Sequence, residues 1–302
     1  MRIAHLSDLH FGKHDELLAE GLAHEVAEQQ PDLVVISGDF TQRGTVPEFE
    51  AARTFLDSLE TPFFAVPGNH DIPLANVMKR FVNPYGLYRR YIARDIEPFL
   101  EMEGVALAGL RTSRRARLGL NWADGTISRD QLASLEKRFA NCAPEVVRIV
   151  VAHHPLMHPE EPMAKPMRRV KRADLALATF ARIGVRLVLS GHFHMSYVRK
   201  HERGAEIAAG APVGANEAAA APVLVAQAST TISTRRRGGH LNAYNLIEID
   251  GGEISVSLRE WSGKAWTTRG GQPPTQGKSS SGTSAKPAGK KPKPDRAPRP
   301  KR

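Results

Sequence analysis

Cysteine is nearly absent from this sequence, because Cys142 is the single one in 302 residues. One cysteine cannot form a disulfide within the chain, which excludes the disulfide-rich class of secreted domains and suits a reducing compartment. Cys142 follows a helix-like stretch, so we interpret it as a small packing residue and not as a nucleophile.

Long hydrophobic segments are also missing. Residues 1–10 contain no apolar core of a signal peptide before the first aspartate and histidine. The most apolar long stretch, residues 205–226, is interrupted by two glutamates, two prolines and an asparagine, so it does not predict a membrane span. The cytoplasm is therefore the expected location.

Acidic residues are scarce at one end of the chain. The formal net charge is +10, but residues 271–302 hold nine Lys or Arg and one Asp, which leaves +2 for residues 1–270. Residues 267–302 are rich in Pro, Lys, Ser and Gly, so we expect a disordered basic tail after a folded domain at 1–266. Such a tail is an inert extension, a non-specific binder of polyanions or a tether to anionic membranes. It has no aromatic side chains for base stacking.

The order of predicted elements indicates an α/β fold. The predicted strands are 2–7, 32–37, 62–66, 105–110, 146–152, 185–189, 223–228, 243–250 and 253–260. The predicted helices are 16–29, 45–59, 128–141 and 175–183. This alternation favours parallel strands covered by helices. The segment 204–222, rich in Ala, Gly and Pro, is expected to be a loop insertion.

Five of the predicted strands end in side chains that bind metals. The carboxyl ends of parallel strands meet at one edge of a sheet, so these side chains are expected to converge there. The candidate ligands are Asp8, His10, Asp39, Asn69, His153, His192 and His194. Any one pair of these residues is weak evidence for a metal site, since a lone aspartate often caps a turn and a lone histidine often packs in a core. The joint set at successive strand ends makes coincidence a poor explanation.

The donor atoms of this set are oxygens and nitrogens, with no thiolate. They suit two divalent or mixed-valence ions of the Mn, Fe or Zn type and not a structural zinc site. Seven ligands exceed the needs of one ion, but they fit two ions that share a bridging carboxylate. We assign the bridge to Asp39, with one oxygen expected to face each metal.

The chain resembles the calcineurin-like metallophosphoesterases over roughly residues 1–260. The motifs that carry the resemblance are Asp8-Leu9-His10, Gly38-Asp39, Gly68-Asn69-His70-Asp71, His153-His154-Pro155 and Gly191-His192-Phe193-His194. The resemblance implies a two-sheet β-sandwich flanked by helices, in the layer order α-β-β-α. Domain 1–266 would then be the catalytic domain of a dinuclear metal-dependent phosphoric ester hydrolase.

The resemblance also implies roles for individual residues. One metal would be held by Asp8, His10, Asp39 and His194, and the other by Asp39, Asn69, His153 and His192. His70 would be a catalytic histidine that binds neither metal. His154 is a candidate for substrate binding, although a structural hydrogen bond explains it as well.

Within the family, the sequence differs from the protein Ser/Thr phosphatases. Residues 38–44 read Gly-Asp-Phe-Thr-Gln-Arg-Gly where those enzymes have a GDxVDRG pattern, and Asp71 stands where they have Glu. Residues 37–44 and 67–71 look more like the class III cyclic-nucleotide phosphodiesterases. The expected substrate is therefore a small phosphodiester, with a cyclic nucleotide as the specific hypothesis.

The expected mechanism is attack by a metal-bridging hydroxide, with His70 as the general acid for the leaving alkoxide. A DNA or RNA nuclease or a phosphomonoesterase on the same centre remains an alternative, although a nuclease would favour a more basic body. A non-enzymatic scaffold is disfavoured because no ligand of the set is missing. Two arginine clusters, 114–117 and 168–172, are candidates for phosphate contacts, against the simpler interpretation of solvated surface.

Overall fold

The computed structural model describes residues 1–74, 77–114, 123–163, 166–202 and 222–269. Its strands are β1 (Arg2–Leu6), β2 (Leu33–Ile36), β3 (Phe63–Ala65), β4 (Phe99–Met102), β5 (Val105–Leu110), β6 (Val147–Ala152), β7 (Val185–Ser190), β8 (Tyr197–His201), β9 (Val223–Gln227), β10 (Ala243–Asp250), β11 (Glu253–Trp261) and β12 (Trp266–Arg269). Its helices are α1 (Glu16–Glu28), α2 (Val46–Asp57), α3 (Val77–Val82), α4 (Gly86–Tyr91), α5 (Arg129–Ala140) and α6 (Ala173–Arg182).

The strands form two mixed sheets of six. The first has the order β12-β11-β10-β1-β2-β3, and the second has the order β4-β5-β6-β7-β9-β8. In the first sheet β1, β2 and β3 run parallel, and in the second β5, β6, β7 and β9 run parallel. Strands β10 and β11 form an antiparallel hairpin that turns at Gly251-Gly252.

The alternation of side chains along each strand builds a core on both faces of each sheet. Ile3 and Val35 lie in the cluster that packs the first sheet against the second. Their neighbours Ala4 and Val34 point the other way, into the cluster that contains residues of α1 and α2. A third cluster packs α5 and α6 on the outer face of the second sheet. The four-layer α-β-β-α architecture is therefore confirmed.

Two helices begin at capping boxes, each formed by a Ser or Thr and by the Gln or Glu three residues later. The Ser128 side chain accepts from the amide of Gln131, and the Gln131 side chain accepts from the amide of Ser128. Thr45 and Glu48 form the equivalent pair before α2. Each box satisfies backbone donors that the first helical turn leaves unpaired, which fixes where the helix begins.

Several elements lie outside the predicted set. The helices α3 and α4 and the strands β4, β8 and β12 were not predicted from the sequence. Strand β12 pairs Thr267–Arg269 with β11, so ordered structure extends three residues past the expected boundary at 266. The insertion at 204–222 and the tail from 270 lie almost wholly outside the described residues. In the described part of the chain, no helix is long and apolar enough to cross a membrane.

Candidate metal centre

The loops after β1, β2, β3, β6 and β7 meet at one edge of the sandwich. Parallel register between β1 and β2 places Asp8 beside Gly38, whose carbonyl accepts from the Asp8 amide at 3.0 Å. The amide of His10 donates in the same way to the carbonyl of Asp39, at 3.0 Å. The predicted convergence of the strand ends is therefore what the structure shows.

Backbone conformation at this edge is unusual. Positive φ angles between 50° and 72° occur at five of the candidate ligands, namely Asp8, His10, Asp39, His192 and His194. Residues other than glycine rarely adopt these positive φ angles. Such backbone conformations persist where the surrounding structure holds them in place. Their concentration here marks a functional edge, because the tight turns aim side chains of adjacent loops at one point.

The first group of donors contains Asp8, His10 and His194. The two Nε2 atoms of His10 and His194 lie 3.1 Å apart. Oδ1 of Asp8 lies 3.1 Å from Nε2 of His194 and 3.6 Å from Nε2 of His10. All three side chains are buried.

The tautomers of the two histidines follow from their other ring nitrogens. Nδ1 of His10 faces the carbonyl of Thr41 at 3.3 Å, and Nδ1 of His194 faces the carbonyl of Arg235 at 2.6 Å. A carbonyl oxygen only accepts, so each Nδ1 carries a proton, and in the singly protonated form of each ring the Nε2 lone pair points at the other ring. Two facing lone pairs repel, and a cation between them removes the repulsion. This donor set fits a metal ion.

The Asp8 carboxylate is a second indication that this group of side chains suits a cation. Its Oδ2 accepts from the Ser7 hydroxyl at 2.6 Å and from the His192 amide at 2.8 Å. Its Oδ1 is buried and has no hydrogen-bond partner within the part of the chain that the structure describes. A buried carboxylate oxygen without a donor is costly, and a coordinated cation compensates it.

The second group of donors surrounds His153. Its Nδ1 donates to the carbonyl of Ser37 at 2.8 Å, so Nε2 is the ring nitrogen that points toward the other candidate ligands. Nε2 lies 3.2 Å from Oδ1 of Asn69 and 3.3 Å from Oδ2 of Asp39. The ring of His192 packs edge-on at 5.1 Å between centroids. These atoms suit a second metal ion of the same kind.

Asp39 lies between the two groups. Its Oδ2 is 3.3 Å from Nε2 of His153 and 3.8 Å from Nε2 of His10. Its Oδ1 accepts instead from the backbone amide of His70, at 2.8 Å. The sequence argument expected one oxygen to face each metal. In the structure the same oxygen faces both groups, because the other is bound to a backbone amide.

The charges at this edge match the needs of metal ligands. Burial raises the pKa values of Asp8 and Asp39, but the adjacent imidazoles outweigh it and hold both well below their ordinary range. Burial lowers the pKa of His10 to about 4 and the pKa of His192 well below its usual value. Burial also lowers the pKa of His153, but the Asp39 carboxylate outweighs it and raises that pKa to about 9. At neutral pH Asp8 and Asp39 are therefore anionic and His10 and His192 neutral, the forms that bind metals, whereas His153 carries a second proton that a metal would displace.

Two glycines let the loops approach this closely. A Cβ at Gly191 would collide with the Ser7 hydroxyl and the Asp8 carboxylate, and a Cβ at Gly68 would collide with the Asp39 carboxylate. The glycines of the two motifs are therefore needed for close approach of backbone to ligand.

The Asp71 carboxylate holds the loop after β3 in place through hydrogen bonds. Its Oδ2 accepts from the Gly68 amide at 2.8 Å, and its Oδ1 accepts from the amide of Thr41 at 3.0 Å. Burial raises the pKa of this carboxyl group to about 7. Asp71 thus ties the loop that carries Asn69 and His70 to the loop after Asp39.

His70 lies at the rim of the centre and is half-buried. Its Nδ1 donates to the carbonyl of Gln42 at 2.6 Å. Its Nε2 accepts from Nη1 of Arg235 at 3.3 Å. The His70 ring packs edge-on against His10 at 4.9 Å. The predicted catalytic histidine is therefore beside the donor groups and lines the cavity, with its Nε2 bonded to Arg235.

His154 is buried directly behind the ligands. Its Nδ1 lies 2.7 Å from the Thr112 hydroxyl and its Nε2 lies 2.9 Å from the carbonyl of Ala123. Both ring nitrogens therefore have protein partners, and burial lowers the pKa of the ring to about 3. These contacts favour a structural role over the expected contact with substrate. His5 is likewise a hydrogen-bonded core residue, as the sequence predicts.

A cavity of about 300 Å³ opens onto the two donor groups. Three arginines line it: Arg168, Arg235 and Arg237. Arg168 belongs to the predicted cluster 168–172. Arg235 and Arg237 were not predicted as site residues, although the run Arg235-Arg236-Arg237 before two glycines was the available signal. In the cluster 114–117, residues 115–117 lie outside the described residues.

The sequence profile of the calcineurin-like phosphoesterases matches residues 1–196 of the chain. The chain belongs to this family. The matched region ends just after His194, so it contains every candidate ligand. The family is one of phosphoesterases, which supports the expected class of metal-dependent phosphoric ester hydrolase.

Similar proteins carry phosphodiesterase names. A probable glycerophosphodiester phosphodiesterase, GpdQ, from Arcobacter nitrofigilis is 30% identical over 128 residues, which is 42% of this chain and 42% of that protein. A probable cyclic nucleotide phosphodiesterase from a Synechococcus strain is 25% identical over 216 residues, which is 66% of this chain and 75% of that protein. The match to the Arcobacter protein thus spans less than half of its length.

Solved structures share the fold. A dimetal phosphatase from Danio rerio superposes with a TM-score of 0.60 at 12% identity, covering 89% of this chain and 98% of that one. Purple acid phosphatase PPD1 from yellow lupin gives a TM-score of 0.56 at 12% identity, covering 86% of this chain and 51% of that one. At this level of identity the likeness concerns the fold alone.

Proposed function

We propose that this chain hydrolyses a small phosphodiester at a dinuclear metal centre. One metal would be held by Asp8, His10, Asp39 and His194, and the other by Asp39, Asn69, His153 and His192. The observation that carries the proposal is the pair of Nε2 lone pairs of His10 and His194, facing each other 3.1 Å apart next to an unpartnered carboxylate oxygen. Divalent cations at these positions supply Lewis-acid stabilisation of the phosphate charge and lower the pKa of the attacking water.

The protein's own part begins with orientation of the substrate. Arg235 and Arg237 line the cavity above the donor groups and present guanidinium donors to phosphate oxygens. The side chain of Arg235 is positioned by Oε1 of Gln42, which accepts from Nη1 at 3.1 Å. A substrate phosphate placed between this arginine and the ligand edge would be held for attack from one side.

His70 is proposed to protonate the leaving alkoxide. Because its Nδ1–H is bound to the carbonyl of Gln42, Nε2 donates only when the ring carries a second proton. An imidazolium there would stand 3.3 Å from the Arg235 guanidinium. A phosphate anion between the two would compensate both positive charges.

The specific substrate hypothesis is a cyclic nucleotide. The motif style of residues 37–44 and 67–71 supports it, and so does the name of the Synechococcus relative. A hydrolysis panel with added manganese tests it, with bis-p-nitrophenyl phosphate, p-nitrophenyl phosphate, cyclic nucleotides and single-stranded DNA as substrates. We expect diesters and cyclic nucleotides to be hydrolysed fastest. Preference for the monoester or for DNA would instead support a phosphomonoesterase or a nuclease.

Arg235→Gln should weaken phosphate binding. The substitution removes a guanidinium that faces the cavity and keeps a side chain of similar length. We expect KM for bis-p-nitrophenyl phosphate to rise roughly tenfold, as for loss of one charged hydrogen bond. Arg236→Gln is the matched control, because Arg236 is exposed and does not line the cavity. Equal KM values for the two variants would remove Arg235 from the proposal.

Residues 271–302 are proposed to be separable from catalysis. They carry +8 of the net charge, whereas every candidate ligand lies before residue 195 and β12 ends at Arg269. Truncation after Gly270 should leave the metal content and turnover of small substrates unchanged. It should abolish any weak binding of DNA that falls steeply with salt, measured by fluorescence anisotropy. Unchanged DNA binding with the same salt slope would place the polyanion site in the folded domain.

A further inference from the structure

A second cavity of about 480 Å³ lies beside the metal centre. Its volume falls within the roughly 300–1,000 Å³ of sites that bind organic ligands. Three methionines and a phenylalanine form the apolar part of its wall: Met163, Met167, Met195 and Phe193. Neither the metal ligands nor the proposed proton donor use this space.

The second cavity adjoins the first. Met167 and Arg237 line both of them. Arg237 donates from Nη1 to the sulfur of Met167, and the carbonyl of Met167 accepts from Nε2 of His158 at 2.9 Å. The shared wall is therefore built by specific contacts. A group attached to a phosphate in the first cavity would therefore enter the second at the side of Arg237.

The chemistry of the wall favours a flat aromatic group over a polyol. Thioether sulfurs make favourable contacts with aromatic rings, and a guanidinium stacks on them. Polar atoms are also present, on Glu161, Arg237 and His240, where they can pair with the edge of a heterocycle. A glycerol group offers neither a ring for the sulfurs nor an apolar surface for Phe193.

We propose that this second cavity binds the nucleobase of the substrate while the metal centre holds its phosphate. The inference rests on the proposed function and deepens it, since it assigns the substrate to the nucleotide class and excludes glycerophosphodiesters. Met163, Met167 and Met195 pack on the base. Arg237 lies at the junction, between the base and the phosphate.

Competitive inhibition by phosphate monoesters tests the assignment on the manganese-loaded protein. The compounds are adenosine 5′-monophosphate, ribose 5-phosphate, glycerol 3-phosphate and octyl phosphate, each against hydrolysis of bis-p-nitrophenyl phosphate. We expect the adenosine compound to bind roughly tenfold more tightly than ribose 5-phosphate, as for one stacked base. Equal binding of these two would overturn the proposal. Tighter binding of octyl phosphate than of the nucleotide would make the cavity a site for aliphatic chains and overturn it too.

Two substitutions locate the effect. Met163→Ala and Met195→Ala should each reduce the advantage of the nucleotide over ribose 5-phosphate to about threefold or less, with little change for ribose 5-phosphate itself. Met78→Ala is the matched control, because Met78 is 77% exposed on α3. An advantage that survives both substitutions would place the base elsewhere.

Failure of the proposed function can be distinguished from failure of the nucleobase site. It would appear as no hydrolysis of any diester, and calorimetric binding of the four compounds to the manganese-loaded protein would still decide the nucleobase site.

Discussion

Asp39→Asn should abolish hydrolysis of phosphodiesters and lower the metal content of the purified protein. The amide keeps the size of the side chain, and its oxygen can still accept from the His70 amide. It removes the negative charge from the position between Nε2 of His10 and Nε2 of His153, where it would neutralise both metals. We expect kcat to fall by at least about three orders of magnitude. Metal content, measured by plasma mass spectrometry after gel filtration, should fall below that of the wild type.

Asp57→Asn is the matched control for charge removal, because Asp57 lies at the end of α2 with its side chain 67% exposed. This control should keep full activity and metal content. If Asp39→Asn retained both metals and more than a tenth of the wild-type kcat, Asp39 would not bridge the centre.

His70→Asn should separate catalysis from metal binding. His70 is not a member of either proposed ligand set, so metal content should stay near the wild-type value. Loss of a general acid should slow turnover of a diester with a poor leaving group by roughly two to four orders of magnitude. A p-nitrophenolate leaving group needs little protonation, so turnover of the p-nitrophenyl ester should fall much less. The comparison uses p-nitrophenyl and phenyl esters of methyl phosphate.

His24→Asn serves as the control for histidine removal, because the His24 side chain is 81% exposed on α1. It should leave both substrates unaffected. Equal losses for good and poor leaving groups in His70→Asn would argue against an acid, and would favour a role for His70 in positioning the phosphate. Loss of metal in this variant would instead make His70 a ligand.

Strand ends and capping boxes were predictable because their signals are local. Apolar runs such as 32–37 are followed closely by a candidate metal ligand. The capping box of Ser128 and Gln131 is recognisable from the spacing of the two residues alone. The convergence of Asp8, Asp39 and His153 was also predictable, since parallel strands share an edge. These features need only the sequence and the rule that carboxyl ends of strands face one side.

Elements and contacts that depend on distant chain segments were not predictable. The helices α3 and α4 have six residues each, too few for a periodic pattern to stand out. Strand β12 is a four-residue edge strand that forms only because β11 is present to pair with it. Positive φ angles at His192 and His194 follow Gly191, whose backbone lies against Ser7 and Asp8 from a distant strand end, and no local sequence rule encodes them.

Arg235 shows the same limit within the site. In the sequence it is one of three consecutive arginines, a pattern typical of solvated surface. The fold places its carbonyl 2.6 Å from Nδ1 of His194 and its guanidinium 3.3 Å from Nε2 of His70. Its location therefore depends on the loop after β9 crossing the ligand edge, and only tertiary structure reveals that.

A manganese titration of the metal-free protein measures the central proposal most directly. Protein stripped with a chelator is titrated with manganese while bound metal and hydrolysis of bis-p-nitrophenyl phosphate are followed together. Two donor groups that share Asp39 predict that activity reaches its plateau at two bound ions per chain. Full activity at one bound ion per chain, with no further increase at the second, would contradict a dinuclear centre.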